Sequence, residues 1–597
     1  MDFSELSKYS GLGCFSPDGK LLASTEQNKI IVRNGETLQT LHSFTCLDGI
    51  CAISFSPDST LIFGAQYKRK IVQVFSLKDP AWMCKIDEAL AGLTHAQWAP
   101  DSRHILTRSD FNLRLSVWSL IRKSVTYIKQ PKLMPPPSHI ETITSSGTAS
   151  VITENGNGNN VRFSNSGQFM AVLTRIECKD VLCIYSVAAD PTSPSGGWDL
   201  LRQFQIDTED CVQIDWSPDD AQILCVDSPL NYNIVVYTTA GQRVLQHRAY
   251  EHALGIKSGP GVKWSPTANF LAVGSYDQQL RVFNNQTGQL MTSYVHSNQT
   301  VNLLGKKGAS IVLYAERPIH PGATLTQLAS GGGSSVDDKE NNPLDDTTLN
   351  FELANVSIME GVSAPADADV TKSKTLGALK SLAAKKKLGT AASGAATSSS
   401  STVASKKPPT RPGSAAVKKL SNTTSSSSSS SSSLTARRGS GTSVGDIEKP
   451  VLSIPSKYVI DEFPLQLTSL TPSVDKPDPK IGVGVVSWSI GDKYLLSRND
   501  NHPNTVWVWD TQKLSLSAVL TQLEAVRCIA WDPKRLRFAL ATATAKLYLW
   551  SPEGCSIVDV PIATGQTFQV RKLEWNADGT CILLMDKTKF CCCYMRD

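Results

Sequence analysis

The architecture of this chain can be inferred from a stretch that reads FSPDG at residues 15–19 and continues as LLAS at residues 21–24. An aromatic residue comes first, then a turn sequence, then an apolar run. Proline fixes φ, aspartate can cap its own turn and glycine tolerates positive φ, so together they suit a tight reversal between two strands. The stretch therefore predicts a β-hairpin.

The same pattern recurs along the 597 residues. Each copy begins at an aromatic residue, which we call an anchor, and the nine anchors are Phe15, Phe55, Trp98, Phe163, Trp216, Trp264, Trp488, Trp531 and Trp575. Five of the eight spacings are 40–48 residues, about the length of a four-stranded propeller blade. Unrelated hairpins in a sandwich would not keep so regular a spacing. We predict an all-β propeller of about nine to ten blades, in one large ring or in two unequal propellers.

Two predictions concern how the blades close on one another. Three anchors follow the longest spacing, and three blades cannot cover their own open edges, so they must pack on the other six. The last repeat ends one strand short, and we predict that residues 2–8 complete the final blade. Residues 310–314, 458–460 and 465–467 are candidates for a degenerate tenth blade.

The segment from Gln327 to Pro450 differs in composition from the rest of the chain. It is rich in Ser, Ala, Lys, Gly and Thr, contains nine consecutive serines at 425–433, and has Phe351 as its one aromatic residue. Such a segment buries too little apolar surface to offset the entropy of ordering its backbone. We therefore predict propeller blades in 1–326 and 451–597, and a disordered insert in 327–450.

The formal net charge of +5 is unevenly distributed. Residues 337–370 carry a net charge of −8 and residues 371–450 a net charge of +12, which leaves the rest of the chain near neutral. The insert contains basic clusters at Lys385, Lys386, Lys387, Lys406, Lys407, Lys418, Lys419, Arg437 and Arg438. Spaced basic clusters can hold an acidic polymer, such as tubulin tails or a nucleic-acid backbone. The alternative is that the insert is a solvated linker.

Two short motifs also lie in the insert. Ser440 follows two arginines and a glycine, which resembles a site for kinases that favour basic residues, and a phosphate there would weaken the local positive charge. The tripeptide KEN at residues 339–341 resembles the degron of cell-cycle proteins. Both are predictions of modification or turnover, separate from the folded part.

No catalytic constellation emerges from the sequence. P-loop and H-E-x-x-H patterns are absent, and the three adjacent cysteines at 591–593 would alternate across a strand, which prevents them from converging on one zinc. We expect these cysteines to be core thiols and the anchor tryptophans to be interblade core. We expect no enzyme, no cofactor, no metal site and no nucleic-acid partner. No apolar stretch reaches the roughly 18 residues of a membrane span, so we expect no membrane partner.

Longer stretches go beyond a generic propeller. They include LRLSVWSLIRKSVTYIK at 113–129, YEHALGIKS at 250–258, FLAVGSYD at 270–277, RNDN at 498–501 and VWVWD at 506–510. Together they resemble the WD-repeat family antisense to p-seventy-three, also called the Wdr-eight family. The resemblance covers nearly all of both folded parts, whereas the long insert departs from the family pattern.

The resemblance implies a non-enzymatic WD-repeat scaffold in the cytoplasm and cytoskeleton, at the centrosome, spindle pole or ciliary basal body. It implies a coiled-coil microtubule-anchoring partner and other centrosomal proteins, with roles in spindle organisation, minus-end anchoring and cilium assembly. It assigns no binding residue, and a contact of the basic insert with microtubules is not transferable from the family. The rival interpretation is an RNA- or ribosome-associated propeller resembling translation initiation factor domains, with the insert as an RNA tether.

Overall fold

The computed structural model describes residues 1–110, 114–128, 131–132, 160–187, 197–228, 231, 233–248, 261–306, 310–319, 453–470 and 481–596. These residues belong to a compact unit that combines Met1–Gly331 with Ile447–Asp597. They form nine antiparallel sheets, or blades, to two of which further strands are added. None of the described helices is long and apolar enough to cross a bilayer.

Blades 1 to 6 each contain four strands, which we call A to D in chain order and, as in propellers generally, from the inside of the ring outwards. Two short strands, β1 (Asp2–Phe3) and β2 (Ser7–Lys8), precede them. Blades 1 to 3 consist of β3 (Gly13–Phe15), β4 (Leu21–Glu26), β5 (Lys29–Asn34) and β6 (Thr40–Thr45); β7 (Ala52–Phe55), β8 (Leu61–Gln66), β9 (Ile71–Ser76) and β10 (Met83–Asp87); and β11 (His95–Trp98), β12 (His104–Arg108), β13 (Leu115–Ser119) and β14 (Val125–Ile128). Blades 4 to 6 consist of β15 (Val161–Phe163), β16 (Phe169–Ile176), β17 (Lys179–Ser186) and β18 (Leu200–Gln205); β19 (Cys211–Trp216), β20 (Gln222–Asp227), β21 (Asn233–Thr238) and β22 (Arg243–Arg248); and β23 (Val262–Trp264), β24 (Phe270–Gly274), β25 (Gln279–Asn284) and β26 (Leu290–Val295).

The remaining blades follow a helix and two additional strands. These are α1 (Asn298–Lys306), β27 (Val312–Pro318) and β28 (Ser456–Ile460). Blades 7 to 9 consist of β29 (Val483–Trp488), β30 (Tyr494–Asn499), β31 (Thr505–Asp510) and β32 (Ser515–Thr521); β33 (Cys528–Trp531), β34 (Phe538–Ala541), β35 (Lys546–Ser551) and β36 (Gly554–Asp559); and β37 (Lys572–Trp575), β38 (Cys581–Met585) and β39 (Lys589–Tyr594). Short 3-10 turns lie at Ala89–Ala91 and Ile490–Asp492. We call the end of the ring with the D–A loops and B–C turns the loop face, and the opposite end the turn face.

All nine anchors are the last residue of an A strand, as the repeat predicts. Five anchor tryptophans donate their indole N–H to the preceding blade, each to the carbonyl of the residue before that blade's anchor, at 3.0–3.2 Å. The anchors therefore join neighbouring blades by a hydrogen bond as well as by packing. This confirms the prediction that the tryptophans are interblade core.

The turn after each anchor is held by the side chains that the repeat contains. Ser16 Oγ donates to Asp18 Oδ1 at 2.5 Å and accepts the backbone N–H of Leu21 at 2.9 Å. Ser56 makes the same two bonds in blade 2. These bonds satisfy polar groups that a tight turn would otherwise leave without partners, which explains why serine and aspartate recur there.

The nine blades form one closed ring. Each pair of consecutive blades shares a hydrophobic cluster, and the ninth blade also packs on the first. At that closure Phe15 and Leu22 of blade 1 meet Leu583 and Phe590 of blade 9. The prediction of a propeller is confirmed, and its blade number is nine.

The N-terminus completes the final blade, as predicted. Asp2 and Phe3 of β1 pair with Tyr594 and Cys593 of β39, and β2 pairs with the same strand. The D strand of blade 9 therefore comes from the opposite end of the chain. The ring is closed by hydrogen bonds between residues almost 600 positions apart, since the N–H of Ser4 also donates to Cys592 O at 2.9 Å.

The prediction of a degenerate tenth blade is wrong. β27 runs parallel to β32 along the outer edge of blade 7, and β28 pairs antiparallel with β27, giving a six-stranded sheet. Residues 465–467 form no strand, and Leu465 and Leu467 pack with Val301 of α1 in the cluster between blades 6 and 7. The described residues of this segment include no anchor and no A strand, and its two strands add to an existing edge.

Candidate protein-interaction surface

The outer strands of blades 1 to 6 expose apolar side chains. Each D strand exposes at least one such side chain by more than a third: Leu41, Met83, Tyr127, Leu201, Val244 and Leu290. Because strand residues alternate between faces, their neighbours such as Phe44 and Ile86 point into the interblade cores. On blade 7 the outer edge is covered by β27, and on blade 9 the outer strand is supplied by the N-terminus. The outermost strand of that sheet, β28, also exposes Val459 and Ile460, so exposed apolar side chains occur on the rim of blades 1 to 7.

A groove of about 430 Å³ lies on the turn face between blades 2 and 3. Its apolar lining includes Trp82, Leu120 and Ile121, of which Trp82 is 37% and Ile121 70% exposed. Lys78 and Asp79 add charge to the same groove. Large exposed apolar side chains that line a concavity with a polar edge are typical of sites where proteins or peptides bind.

An ion pair fixes the edge of this groove. Arg103 Nη1 lies 2.9 Å from Asp58 Oδ2, and Ser102 Oγ accepts the N–H of Asp58, so the A–B turns of blades 2 and 3 are joined. Burial alone would raise the pKa of Asp58, but hydrogen bonds from Ser56, Thr60 and Arg103 outweigh it and lower the pKa to about 2. Asp58 therefore stays ionised at physiological pH, and the groove has a charged border.

A second concavity of about 650 Å³ lies on the loop face between blades 4 and 5 and is mainly polar. Arg175 Nη1 contacts Asp210 Oδ1 at 3.0 Å at its edge. Beneath it the buried Lys132 Nζ lies 3.0 Å from Asp180 and 2.7 Å from Asp210. Since these charges already compensate one another, we interpret this network as a tie between blades 4 and 5.

Side chains beneath two D–A loops hold those loops onto the next blade. His296 Nε2 lies 2.6 Å from Ser497 Oγ, which also accepts the indole N–H of Trp509 at 2.8 Å. Burial lowers the pKa of His296 to about 4, so the ring is neutral at physiological pH. Glu88 has the corresponding place on blade 3, where it accepts the indole N–H of Trp118 at 2.8 Å. The sequence analysis did not single out His296 or Glu88. A pattern that could have revealed them is a tryptophan on the C strand of a blade together with Ser or Thr on its B strand, as in Trp509 with Ser497.

The central channel of the ring is lined by apolar, polar and charged side chains. The residue before every anchor is partly exposed, as expected for the innermost strand: Cys14, Ser54, Gln97, Arg162, Asp215, Lys263, Ser487, Ala530 and Glu574. Burial raises the pKa of Asp215, although the positive charges of Arg162 and Lys263 act in the opposite direction. The channel wall is therefore most strongly charged in blades 4 to 6.

The three adjacent cysteines lie on β39 and are fully buried. Cys591 and Cys593 belong to the cluster between blades 8 and 9, and Cys592 belongs to the cluster between blades 9 and 1. Burial raises the pKa of Cys593 to about 12, so the thiol stays protonated. The predicted alternation is confirmed, and these residues are core thiols. No group of three His, Cys, Asp or Glu side chains suited to a metal ion occurs among the described residues.

The predicted site residues of the insert lie outside the described residues. This holds for the basic clusters, for Ser440 and for the KEN tripeptide at 339–341, so these remain predictions. The described chain on either side of the insert is joined, because the N–H of Ile319 donates to Pro455 O at 3.0 Å.

The nine-bladed ring, its anchors and its apolar rim define a WD-repeat β-propeller of the kind that mediates protein–protein interactions. Residues 252–284 match the family model described as WD domain, G-beta repeat. The chain is 34% identical over 596 residues to the WD repeat-containing protein WRAP73 of Mus musculus, covering 100% of this chain and 96% of that protein. It therefore belongs to the WRAP73 family of WD-repeat proteins.

Two further matches are more distant. An uncharacterised WD repeat-containing protein of Schizosaccharomyces pombe is 24% identical over 317 residues, which is 51% of this chain and 58% of that protein. The crystal structure of the C-terminal WD40 domain of Sif2 is 9% identical, with a TM-score of 0.40 and coverage of 100% of this chain and 99% of that chain.

Proposed function

We propose that this protein is a non-enzymatic scaffold at the centrosome, spindle pole or ciliary basal body. There it binds a coiled-coil microtubule-anchoring protein and supports spindle organisation, minus-end anchoring and cilium assembly. The proposal rests on membership of the WRAP73 family and on one structural observation, the apolar groove between blades 2 and 3. Propellers of this class act by presenting rigid surfaces to other polypeptides.

The chemistry of the groove suits a helix from a coiled coil. Such helices present an apolar stripe flanked by charged residues. Trp82 and Ile121 offer apolar contact area, while Lys78, Asp79 and Arg103 offer charges of both signs at the border. Tryptophan and arginine are also the residues most enriched at the energetic centres of interfaces.

The test uses the full chain, with a matched control on the same face. Ile121→Asp places a charge in the groove, and Leu514→Asp places one in the C–D turn of blade 7, where Leu514 is 43% exposed. Affinity purification with nuclease treatment should recover coiled-coil centrosomal proteins with the wild type and with Leu514→Asp, but not with Ile121→Asp. If neither variant loses these partner proteins, the groove is not their binding site. Recovery of nuclease-sensitive ribosomal material would instead favour the rival RNA-associated role.

The basic clusters of the insert support a separate proposal, namely that they contact the acidic tails of tubulin. A net charge of +12 over residues 371–450 favours multivalent binding to an acidic polymer. We expect the full chain to sediment with microtubules at low salt and a chain lacking residues 327–450 to remain in solution. Equal sedimentation of both chains, or unchanged pole localisation after the deletion, would show that the insert is a linker.

A further inference from the structure

Four lysine or arginine side chains of the described part are buried, and three of them have acidic partners. Lys132 pairs with Asp180, Arg281 with Asp277 at 2.6 Å, and Lys546 with Glu316 at 3.2 Å. This is the expected arrangement, because burying a charge without a partner costs several kcal/mol. Arg108 is the fourth, and it is different.

Arg108 is 7% exposed and has no anionic partner among the residues that the structure describes. Its Nε atom is buried without a hydrogen-bond acceptor, and no carboxylate of the described chain forms an ion pair with the guanidinium. The charge that acts on it is of the same sign: burial, together with the positive charge of Arg162, lowers the pKa of Arg108 to about 10. Arg108 nevertheless remains protonated at neutral pH.

The position of Arg108 follows from the strand register. It is the last residue of β12, paired with His95 of β11, and therefore lies at the loop face. Leu106, two residues earlier, packs in the core between blades 3 and 4, so Arg108 also lies on the side of blade 3 that faces blade 4. Arg162 belongs to the A strand of blade 4, which places the two arginines together where the interblade space meets the channel.

We propose that Arg108 forms a binding site for an anionic group, a carboxylate or a phosphate, at the loop-face mouth of the channel between blades 3 and 4. A guanidinium binds such groups through two parallel hydrogen bonds. Gln97 Oε1, on the same side of blade 3, is also buried without a donor and can accept a hydrogen bond from a hydroxyl of the ligand or its hydration water. The site is independent of the groove on the turn face.

The test is isothermal titration of the purified full chain at constant ionic strength. The probes are inorganic phosphate and a diglutamate peptide, compared with chloride. The variants are Arg108→Met and, as a control, Arg243→Met, whose side chain is 51% exposed and pairs with Asp207 on the surface. We expect saturable binding to the wild type and the control, weakened about tenfold or more in Arg108→Met.

Comparing the affinities of the two probes distinguishes the two sources of the anionic group. Preference for phosphate supports a free phosphate or phosphorylated ligand, and preference for the peptide supports an acidic side chain of a partner protein. Thermal unfolding of Arg108→Met without ligand should occur at or above the wild-type temperature, because the variant removes an uncompensated buried charge. The proposal is overturned if neither probe binds above chloride, if Arg108→Met binds as well as the wild type, or if that variant unfolds at a lower temperature.

Discussion

The added hairpin of β27 and β28 is fixed to blade 8 by one buried carboxylate. Glu316 is 1% and Lys546 3% exposed at the side chain, and Lys546 Nζ lies 3.2 Å from Glu316 Oε1. The same carboxylate accepts the hydroxyl of Tyr548 at 3.0 Å, the backbone N–H of Leu523 at 2.9 Å and the hydroxyl of Ser456. If the charge is removed, Lys546 keeps its hydrogen bonds to Ile454 O and Ser456 Oγ but loses its only counter-charge among the described residues.

Replacing Glu316 with Gln leaves the buried ammonium of Lys546 without a counter-charge. We expect a loss of about 3–5 kcal/mol, the usual effect of removing one partner of a buried ion pair. The double variant Glu316→Leu, Lys546→Met should recover most of this loss, because it removes both charges and fills a similar volume. Arg317→Ala is the matched control: its neighbouring ion pair with Asp461 is 59% and 30% exposed and should contribute less than about 1 kcal/mol.

Hydrogen exchange, which reports the local opening of a segment, is the appropriate measurement because a nine-bladed ring need not unfold in one step. Hydrogen exchange of the Leu523 amide, which donates directly to Glu316, should accelerate in Glu316→Gln, together with exchange across β27 and β28. Exchange in blades 2 and 3 should not change. The reasoning is refuted if Glu316→Gln exchanges like the wild type, or if the double variant opens as readily as the single one.

Three other predictions address the anchors, a buried histidine and the ring closure. Trp531→Phe should lower the urea midpoint by the equivalent of about 1 kcal/mol relative to Trp264→Phe, because Trp531 donates to Ser487 O at 3.2 Å whereas the indole N–H of Trp264 has no acceptor among the described residues. His296 has a folded pKa of about 4 against 6.5 unfolded, so its contribution is complete above pH 6.5 and is lost as the pH falls towards 4. Acid should therefore destabilise the wild type by up to about 3 kcal/mol more than His296→Gln, as measured by unfolding at pH 7 and pH 4.5. Deleting residues 2–8 should accelerate labelling of Cys591, Cys592 and Cys593 by a thiol reagent at least about tenfold, because β39 then becomes an open edge.

Each of these predictions has a result that would contradict it. Equal midpoints for the two tryptophan variants would mean that the interblade hydrogen bond is not stabilising. If the wild type and the His296→Gln variant lose the same stability in acid, His296 is not the source of the effect. Unchanged cysteine labelling after the deletion, with Cys46 between blades 1 and 2 as an internal reference, would show that the N-terminus is dispensable for closure.

Much of the fold was predictable because the information is local and repeated. An anchor, a Ser-Pro-Asp turn and an apolar strand are contiguous in sequence, and the hydrogen bonds of Ser16 and Asp18 that explain them span at most five residues. The alternation of Cys591, Cys592 and Cys593 between two cores follows from strand geometry alone. The completion of the last blade by residues 2–8 was predictable for a different reason, since a blade one strand short requires a partner.

The count of nine blades, the attachment of β27 and β28, and the grouping of side chains into sites were decided by tertiary structure. β27 pairs with β32 across some 200 residues of sequence, and no local pattern specifies that register. The groove at Trp82 and Ile121 likewise joins two turns about 40 residues apart, and the lack of a partner for Arg108 is a property of everything packed around it. Sequence period fixes which residues turn inward, whereas the neighbours that they meet depend on how the closed ring brings distant strands together.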